Sequence, residues 1–357
     1  MIHHTPLPIA RPIAYTLKLW LAVLTLLMMV LPGCAKEQEP SEPLRLPRSL
    51  VPIDSADSEP GGTHHAILVD KRRQRMTLFA YNGHWREIAQ WPCSTGKNDG
   101  PKQAEGDGKT PEGVYFATRS VAPPYIAPRY GSRALPLDYP SWIDRQHRRG
   151  GSSIWLHGTN QPLIANNSNG CVVLENAHID QVARYVDLNR TPIIIVGRLT
   201  WWTEQKARDT GRKILAAVEQ WHDALMHGSF DEYSRWYRPE SKPGMRWWQQ
   251  WCKQRKSCFK GEIRPGGLVR NRSLYRSRDA IVMTFDHLLT AGNQQVRIGF
   301  RKLYLKLEAG HIRIIGDTYQ GDPNPGRDRL FAAWRKLWEN VRRQSELATV
   351  RQSGNQT

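Results

Sequence analysis

A histidine and a cysteine, each beside glycine, stand at the ends of two apolar segments. Residues 154–156 lead into His157, and Cys171 follows Gly170 directly. A thiol becomes a strong nucleophile when a neighbouring base takes its proton, and histidine commonly serves as that base. Glycine lets the backbone approach closely, which would leave the amides of residues 169–171 free to stabilise an oxyanion. The residue types fit cysteine acyl chemistry, and equally a small buried Cys171 beside a core His157.

The surrounding sequence carries further landmarks in a fixed order. They are Ser94-Thr-Gly-Lys97, the run GDGKTPEGVY over residues 106–115, His157-Gly-Thr159 and Ser168-Asn-Gly-Cys171. Over residues 63–198 this order resembles the L,D-transpeptidase (YkuD-type) catalytic domain family. Residues 176–186 and 191–196 resemble the closing helix and final strand of that family. The resemblance implies a mainly β catalytic domain, a mixed β-sandwich with short helices.

The resemblance also implies roles for particular residues. Cys171 would be the nucleophile and His157 the general base and acid, with the Gly158 backbone carbonyl orienting the imidazole. The oxyanion and substrate loop would comprise Ser168, Asn169 and Gly170. Two positions depart from the family pattern, since many members have histidine at 169 and arginine or asparagine at 173, where this chain has asparagine and valine. The long loop over residues 121–151 is expected to form one wall of the cleft.

The activity implied by the resemblance is acyl transfer on peptidoglycan stem peptides, in cell-wall biogenesis and cell shape. An amine would resolve the Cys171 acyl-enzyme, giving a 3–3 cross-link or attaching a wall-linked lipoprotein. Two alternatives stay open. Water as acceptor would make the protein an L,D-carboxypeptidase or amidase, and a silent site would make it a non-catalytic peptidoglycan-binding scaffold. No step calls for a cofactor, and no histidine or cysteine cluster has the spacing of a metal site.

The N-terminal residues 1–33 have the pattern of a lipoprotein signal peptide. Arg11 and Lys18 accompany an apolar run over 19–31 that is short for a membrane span. The run ends in Leu-Pro-Gly-Cys34, which resembles a bacterial lipobox with Cys34 as the lipidated residue. The expected location is the periplasm, on the inner leaflet of the outer membrane. Residues 34–62, rich in Glu, Pro and Ser, are predicted to be a disordered tether.

Charge and cysteine content agree with an exported protein. The formal net charge of +18 attracts polyanions. No nucleic-acid motif accompanies it, so peptidoglycan and phospholipid are the expected partners, and nucleic acid is not. In an oxidising compartment Cys252 and Cys258 are a candidate disulfide. Cys93 is expected to be buried at a strand end.

The C-terminal half predicts an α+β fold. Helices are predicted over 207–226, 230–237 and 246–252, and strands at 263, 268–269, 280–285, 296–307 and 312–315. The element order over 208–320 resembles an NTF2-like cone. Its tryptophans either line a glycan pocket or fill the core: Trp221, Trp236, Trp247, Trp248 and Trp251. Residues 325–344 predict a basic amphipathic helix that binds a membrane or partner, or packs on the preceding domain. Residues 345–357 are predicted to be disordered.

Overall fold

The sequence contains many short apolar runs separated by Gly, Pro and Asn, and its described residues form fifteen strands. The computed structural model describes residues 44–53, 64–258, 265–321 and 327–354. The strands are β1 (Arg45–Pro47), β2 (Leu50–Val51), β3 (His64–Asp70), β4 (Arg75–Tyr81), β5 (Trp85–Pro92), β6 (Gly113–Phe116), β7 (Ala134–Pro136), β8 (Trp155–His157), β9 (Val172–Val173), β10 (Pro192–Val196), β11 (Trp201–Thr203), β12 (Gly266–Arg276), β13 (Ile281–Ala291), β14 (Gln294–Glu308) and β15 (His311–Tyr319). The helices are α1 (Trp142–Gln146), α2 (Asn176–Ala183), α3 (Glu204–Met226), α4 (Phe230–Ser234), α5 (Met245–Cys258) and α6 (Arg327–Gly354).

A five-stranded sheet in the order β5-β4-β3-β10-β6 forms the centre of residues 64–198, the predicted catalytic domain, which we call the catalytic half. β3 and β10 are parallel, and the other neighbours are antiparallel. The turn between β4 and β5 contains Asn82-Gly83, with Gly83 at φ +95°, a conformation that glycine adopts without strain. An Asn-Gly pair between two strand-forming runs is a typical hairpin signal, and β4 and β5 form that hairpin. A smaller sheet in the order β7-β8-β9 stands beside the central one and carries the chemistry-bearing residues.

The central sheet is buried on both faces. Because successive side chains of a strand point to opposite faces, Ile67 and Ile193 pack into one core, while Leu68 and Ile194 pack into the other. The first core belongs to the catalytic half alone. The second continues into the C-terminal half, and the described residues from Leu44 onward belong to one compact unit. The two predicted domains therefore share a core, and the boundary near residue 198 does not separate independent bodies.

The C-terminal half confirms the predicted order of helices followed by an antiparallel sheet. Its strands lie in the order β15-β14-β13-β12-β2. Trp221, Trp251 and Trp334 are fully buried, so these large rings fill the core. The buried side chains of α6 are Leu330, Ala333, Trp334 and Leu337, which join the same core. Packing on the preceding strands, one of the two interpretations of this helix, is therefore observed.

Two segments that were predicted to be disordered contain regular structure. Within 34–62, β1 pairs with β11 and β2 pairs with β12, and Leu46, Leu50 and Val51 are buried. The average composition of the segment concealed this short apolar stretch, which completes two sheet edges. At the other end α6 continues through residue 354, into the predicted tail.

The Cys252–Cys258 disulfide prediction is wrong in this fold. Both cysteines lie in α5, and Cys252 is a free thiol. Six residues of α-helix rise about 9 Å, whereas disulfide-bonded Cα atoms lie within about 7 Å of each other. Cys93 follows β5 and is buried, as expected. Burial raises the pKa of its thiol to about 12.

The predicted signal peptide over residues 1–33, the predicted lipidation site Cys34 and the predicted strand at 263 lie outside the described residues. Among the helices that the structure describes, none is both long and apolar enough to cross a membrane.

Candidate active site

His157 and Cys171 come together because β8 and β9 are adjacent parallel strands. The register pairs Leu156 with Val172 and His157 with Val173. Cys171 directly precedes β9, so its backbone lies beside the start of β8. Both side chains line one cavity of about 750 Å³. The structure thus brings the predicted nucleophile and base into the same site.

The imidazole of His157 is held by the residue that follows it. Its Nδ1 lies 2.6 Å from the Gly158 carbonyl oxygen, which can only accept a hydrogen bond. Nδ1 therefore carries the proton, and Nε2 is left as a proton acceptor. Burial lowers the pKa of His157, the Gly158 hydrogen bond opposes that shift, and the Arg129 charge adds to it. The ring is neutral at neutral pH and able to act as a base.

The thiol of Cys171 is protonated in the resting protein. Sγ lies 3.6 Å from the Ser153 carbonyl oxygen, to which it donates. Burial raises the thiol pKa, although the Trp155 backbone amide and the charges of Lys102 and Arg129 counteract part of the shift. Within the described residues, no hydrogen bond joins Sγ to the His157 ring. The resting pair is therefore a neutral thiol and a neutral imidazole, and the proton moves when substrate is attacked.

The cysteine loop is fixed by its own serine. Ser168 Oγ donates to the Cys171 carbonyl oxygen at 2.6 Å and accepts from the Gly170 amide at 3.1 Å. Gly170 has φ +128°, and a Cβ there would lie 2.8 Å from the Lys109 carbonyl oxygen. Because its amide is already bonded, Gly170 does not supply a free oxyanion donor as predicted. The Cys171 amide, which has no acceptor among the described hydrogen bonds, is the available donor.

The Ser-Thr-Gly-Lys landmark, residues 94–97, is hydrogen-bonded through its backbone to the loop that contains Cys171. Ser94 and Val173 exchange two backbone hydrogen bonds of 2.8 Å. Lys97 donates its amide to the Ser168 carbonyl at 3.0 Å, and Ser168 donates its amide to the Thr95 carbonyl at 3.0 Å. The backbone of this landmark therefore fixes the position of the loop that contains Cys171.

The glycine-rich landmark is organised around a carboxylate. Asp107 accepts hydrogen bonds from the Lys102 ammonium at 2.8 Å and from three backbone amides, those of Gln103, Ala104 and Lys109. Burial acts to raise the Asp107 pKa, but these donors outweigh burial and lower it. The aspartate is thus a structural anion that shapes the loop beside Gly170.

The sequence did not single out Arg129 and Tyr130 individually, although it predicted that their loop forms a wall. Both residues line the cavity. The Tyr130 ring meets the His157 ring edge-on, with centroids 5.0 Å apart, and the Arg129 guanidinium lies 5.0 Å from the Tyr130 centroid. The predicted role of residues 121–151 as a cleft wall is confirmed.

Asn176 is a further residue that the sequence did not reveal. Its Oδ1 accepts from the Ser132 amide at 2.9 Å, and its Nδ2 donates to Asn160 Oδ1 at 2.8 Å. A Cβ on Gly158 would collide with the same Oδ1, which explains the glycine after His157. As the first residue of α2, Asn176 has the pattern of an ordinary helix start. No sequence signal distinguishes its role.

Within the part of the chain that the structure describes, no group of three His, Cys, Asp or Glu side chains could hold a metal ion.

Comparison with known proteins agrees with this geometry. Residues 64–195 match the L,D-transpeptidase catalytic domain (YkuD) family. YafK of Escherichia coli (strain K12), which is named as an L,D-transpeptidase, is 32% identical over 122 residues, covering 34% of this chain and 46% of YafK. The O157:H7 protein of the same name gives the same values. The chain therefore spans about half the length of the curated relatives it matches. An L,D-transpeptidase-family domain occupies the catalytic half.

Two solved structures share the fold more widely. Bd1075 of Bdellovibrio bacteriovorus is 24% identical with a TM-score of 0.64, covering 79% of this chain and 100% of its own. The helical cell shape determining protein Pgp2 of Campylobacter jejuni is 23% identical with a TM-score of 0.57, covering 76% and 94%. Each likeness extends beyond residues 64–195, so the shared fold includes part of the C-terminal half.

Proposed function

We propose that this protein is a peptidoglycan L,D-transpeptidase that works through a Cys171 acyl-enzyme. The observation that carries the proposal is the shared cavity of Cys171 and His157, with the imidazole tautomer fixed by Gly158. An unprotonated Nε2 on a histidine that lines the same cavity as a thiol is what nucleophilic catalysis with a general base requires. The match of residues 64–195 to the L,D-transpeptidase catalytic domain supports the same reaction class.

The proposed chemistry proceeds in two halves. Cys171 Sγ attacks the carbonyl carbon at the L-centre of diaminopimelate in a tetrapeptide stem, and its proton passes to His157 Nε2. The tetrahedral oxyanion accepts a hydrogen bond from the Cys171 amide. Collapse breaks the bond to D-alanine, whose amine takes the proton from His157. An acceptor amine, from another stem or from a lysine of a wall-linked lipoprotein, then displaces the thiol by the reverse steps.

The charges of the cavity suit an anionic stem peptide. Lys102 is paired with Asp107 at 2.8 Å. Arg129 is exposed and forms no ion pair among the described residues. A cation without a carboxylate partner beside the thiol would attract a substrate carboxylate. It would do so from the loop wall rather than from position 173, where valine stands.

Hydrolysis of the same acyl-enzyme is the second candidate. The polar lining of the cavity that contains the thiol can hold water: Ser152, Ser153, Gln161, Asn167 and Asn169. Water in place of the acceptor amine would make the protein an L,D-carboxypeptidase or amidase. A scaffold without chemistry is the third candidate, and it predicts that no product forms.

Mass spectrometry of muropeptides after incubation with purified sacculi tests these alternatives. The transpeptidase produces 3–3 linked dimers, and the hydrolase produces tripeptides alone. Cys171→Ala should abolish both products while the thermal unfolding temperature stays within a few degrees, since only one sulfur is lost. His157→Gln should reduce turnover by about 10²-fold or more.

Cys252→Ala is the matched control, because it removes a free thiol outside the cavity. It should retain wild-type turnover. Products that persist in Cys171→Ala would refute the mechanism, and their absence from the wild type would favour the scaffold.

We further propose that Cys34 is lipidated, that the protein resides at the periplasmic face of the outer membrane, and that residues 208–320 are NTF2-like. The support for anchoring is the Leu-Pro-Gly-Cys34 motif. Labelled fatty acid should enter the wild type but not Cys34→Ala. Fractionation with the inner membrane would contradict the location. The support for the C-terminal assignment is the order of α3, α4 and α5 followed by β12–β15.

A further inference from the structure

A second cavity, remote in sequence from the catalytic residues, is lined by four arginines. It has a volume of about 300 Å³, and its arginines are Arg48, Arg198, Arg276 and Arg278. None of them lines the cavity that contains Cys171. We call this second cavity the arginine cavity.

The arginine cavity lies where three separate segments meet. Arg48 stands between β1 and β2, Arg198 follows β10, and Arg276 ends β12. Backbone hydrogen bonds fix these segments to one another. Arg48 donates its amide to the Thr200 carbonyl at 2.8 Å, and Arg276 donates its amide to the Ser49 carbonyl at 2.9 Å. The positions of the arginine backbones are therefore set by the sheets and are not those of a free surface loop.

The four guanidinium groups have no acidic partner in the described chain. None of them forms an ion pair or side-chain hydrogen bond among the residues that the structure describes. The acid that lines the cavity and the acid that follows Arg278 in sequence are already engaged. Glu112, which also lines the cavity, pairs with Lys71 at 3.1 Å, and Asp279 pairs with Arg149 at 2.8 Å. The cavity thus concentrates positive charge that the neighbouring carboxylates do not neutralise.

This concentration of like charge is costly for the folded protein. Arg276 is partly buried, and both its burial and the neighbouring Arg48 charge lower its pKa. A surface arginine normally moves its guanidinium group into solvent, away from a neighbouring positive charge. When the backbone holds two arginines together at the end of a sheet, an anion bound between them offsets the repulsion of their charges.

We propose that the arginine cavity is a binding site for a phosphate group. A phosphate carries up to two negative charges and enough oxygens to accept from several guanidinium groups at once, whereas one guanidinium fork can satisfy both oxygens of a carboxylate. The hydroxyls of Ser49 and Thr200 line the cavity and offer further donors. A volume of about 300 Å³ accommodates a phosphate with a small organic group attached.

A phosphate group in the arginine cavity would contact three segments of the chain at once. Arg48 belongs to the ordered part of the segment that was predicted to be a tether, Arg198 to the connection that follows β10, and Arg276 to the C-terminal sheet. A phosphate held by all three would stabilise their junction. The phosphate could belong to a soluble ester or to a phospholipid headgroup, and binding experiments distinguish the two.

Isothermal titration and thermal unfolding of the full chain, in one detergent throughout, test the site. The probes are inorganic phosphate and glycerol 3-phosphate, compared with chloride at matched ionic strength. The cavity variant is Arg48→Gln with Arg276→Gln. The matched control is Arg86→Gln with Arg184→Gln, which removes the same charge from two exposed arginines outside the cavity. We expect phosphate to bind the wild type and the control alike, and the cavity variant at least tenfold more weakly.

Stability in phosphate-free buffer shows whether the variant is folded. Since the substitutions relieve repulsion, the cavity variant should unfold at the wild-type temperature or above, and phosphate should no longer raise that temperature. Vesicles of phosphatidylglycerol, with phosphatidylcholine vesicles as reference, form the lipid arm. Tighter vesicle binding that phosphate competes away, and that the cavity variant loses, assigns the site to a headgroup. Phosphate binding without such vesicle binding assigns it to a soluble ester. An equal phosphate response in the cavity variant and the control overturns the proposal.

Discussion

At Cys171, burial and the neighbouring cations act on the thiol in opposite directions. Burial raises the pKa, whereas Lys102 and Arg129 lower it, and burial prevails. For His157, burial and Arg129 both lower the pKa. The site therefore holds a neutral pair across the physiological pH range. The proposed activity should be lost in acid only below the ordinary histidine pKa of about 6.5.

Arg129 is the residue through which these two pKa values can be changed together. Its charge lowers both, so Arg129→Gln should raise both. The rate of Cys171 alkylation by iodoacetamide should then increase only at higher pH than in the wild type. The acid limb of activity should also move to higher pH, because the base is protonated sooner. Arg119→Gln removes an exposed arginine outside the cavity and should leave both profiles unchanged. Profiles that move in opposite directions would contradict this account.

At the scale of elements, the short strands β1 and β2 are predicted to contribute to the stability of the fold. Leu50 is fully buried, although it lies in a segment whose composition predicts a tether. Leu50→Ala should lower the free energy of unfolding by about 2–4 kcal/mol, since it removes buried methyl groups and leaves a cavity. Leu44→Ala is the control, because Leu44 is 59% exposed. Urea unfolding curves measure both. Equal stability of the two variants would mean that the segment is not part of the fold.

The sequence predicted the elements whose patterns are local. The β4–β5 turn at Asn82-Gly83, the strand before His157 and the helix that contains Trp221 each have a signal within a few residues. β2 has no such signal, because its partner β12 is more than two hundred residues away. The same limit applied to the site. The glycines beside Cys171 and His157 were visible, but Asn176 makes its contacts with residues distant in sequence.

At the scale of the whole molecule, two buried histidines make stability depend on pH. His222 Nε2 and His287 Nε2 lie 3.1 Å apart in the C-terminal core. Burial lowers the pKa of His222 to about 4 and that of His287 well below its ordinary value, and the Arg301 charge adds to both shifts. In the unfolded chain each would titrate near 6.5. Between these values the unfolded state binds more protons than the folded state.

Stability should therefore be complete above pH 6.5 and fall as the pH is lowered from 6.5 toward 4, by up to about 1.4 kcal/mol per pH unit for each histidine. Urea unfolding across this range measures the slope. His222→Gln should reduce the slope whatever its effect on absolute stability. The control is His311→Gln, which removes an exposed histidine outside this pair, and His222→Gln should reduce the slope by more than the control does. A wild-type stability that is constant between pH 6.5 and 4.5 would contradict the prediction.

The shared core changes what a truncated protein can do. A fragment of residues 63–198 contains the whole stretch that resembles the catalytic domain family, yet it would expose Leu68, Phe79 and Phe116, which face the C-terminal half. Apolar surface of this extent leads to aggregation. We expect the fragment to lack a cooperative thermal transition, while residues 44–357 unfold in one. A soluble, cooperatively folded fragment would show that the second core is dispensable.

A sheet that is buried on both faces also restricts how the protein can vary over evolutionary time. Modular enzymes exchange accessory domains by recombination, since each module keeps its own interior. Here one face of the central sheet and the aromatic side chains of the C-terminal half pack into one core. A C-terminal half acquired by recombination would therefore need side chains that pack against that face. Inherited loss of activity can therefore arise from buried changes at Phe285 or Leu303 as readily as from changes at the cavity. The two halves should accordingly diverge together, as one heritable unit.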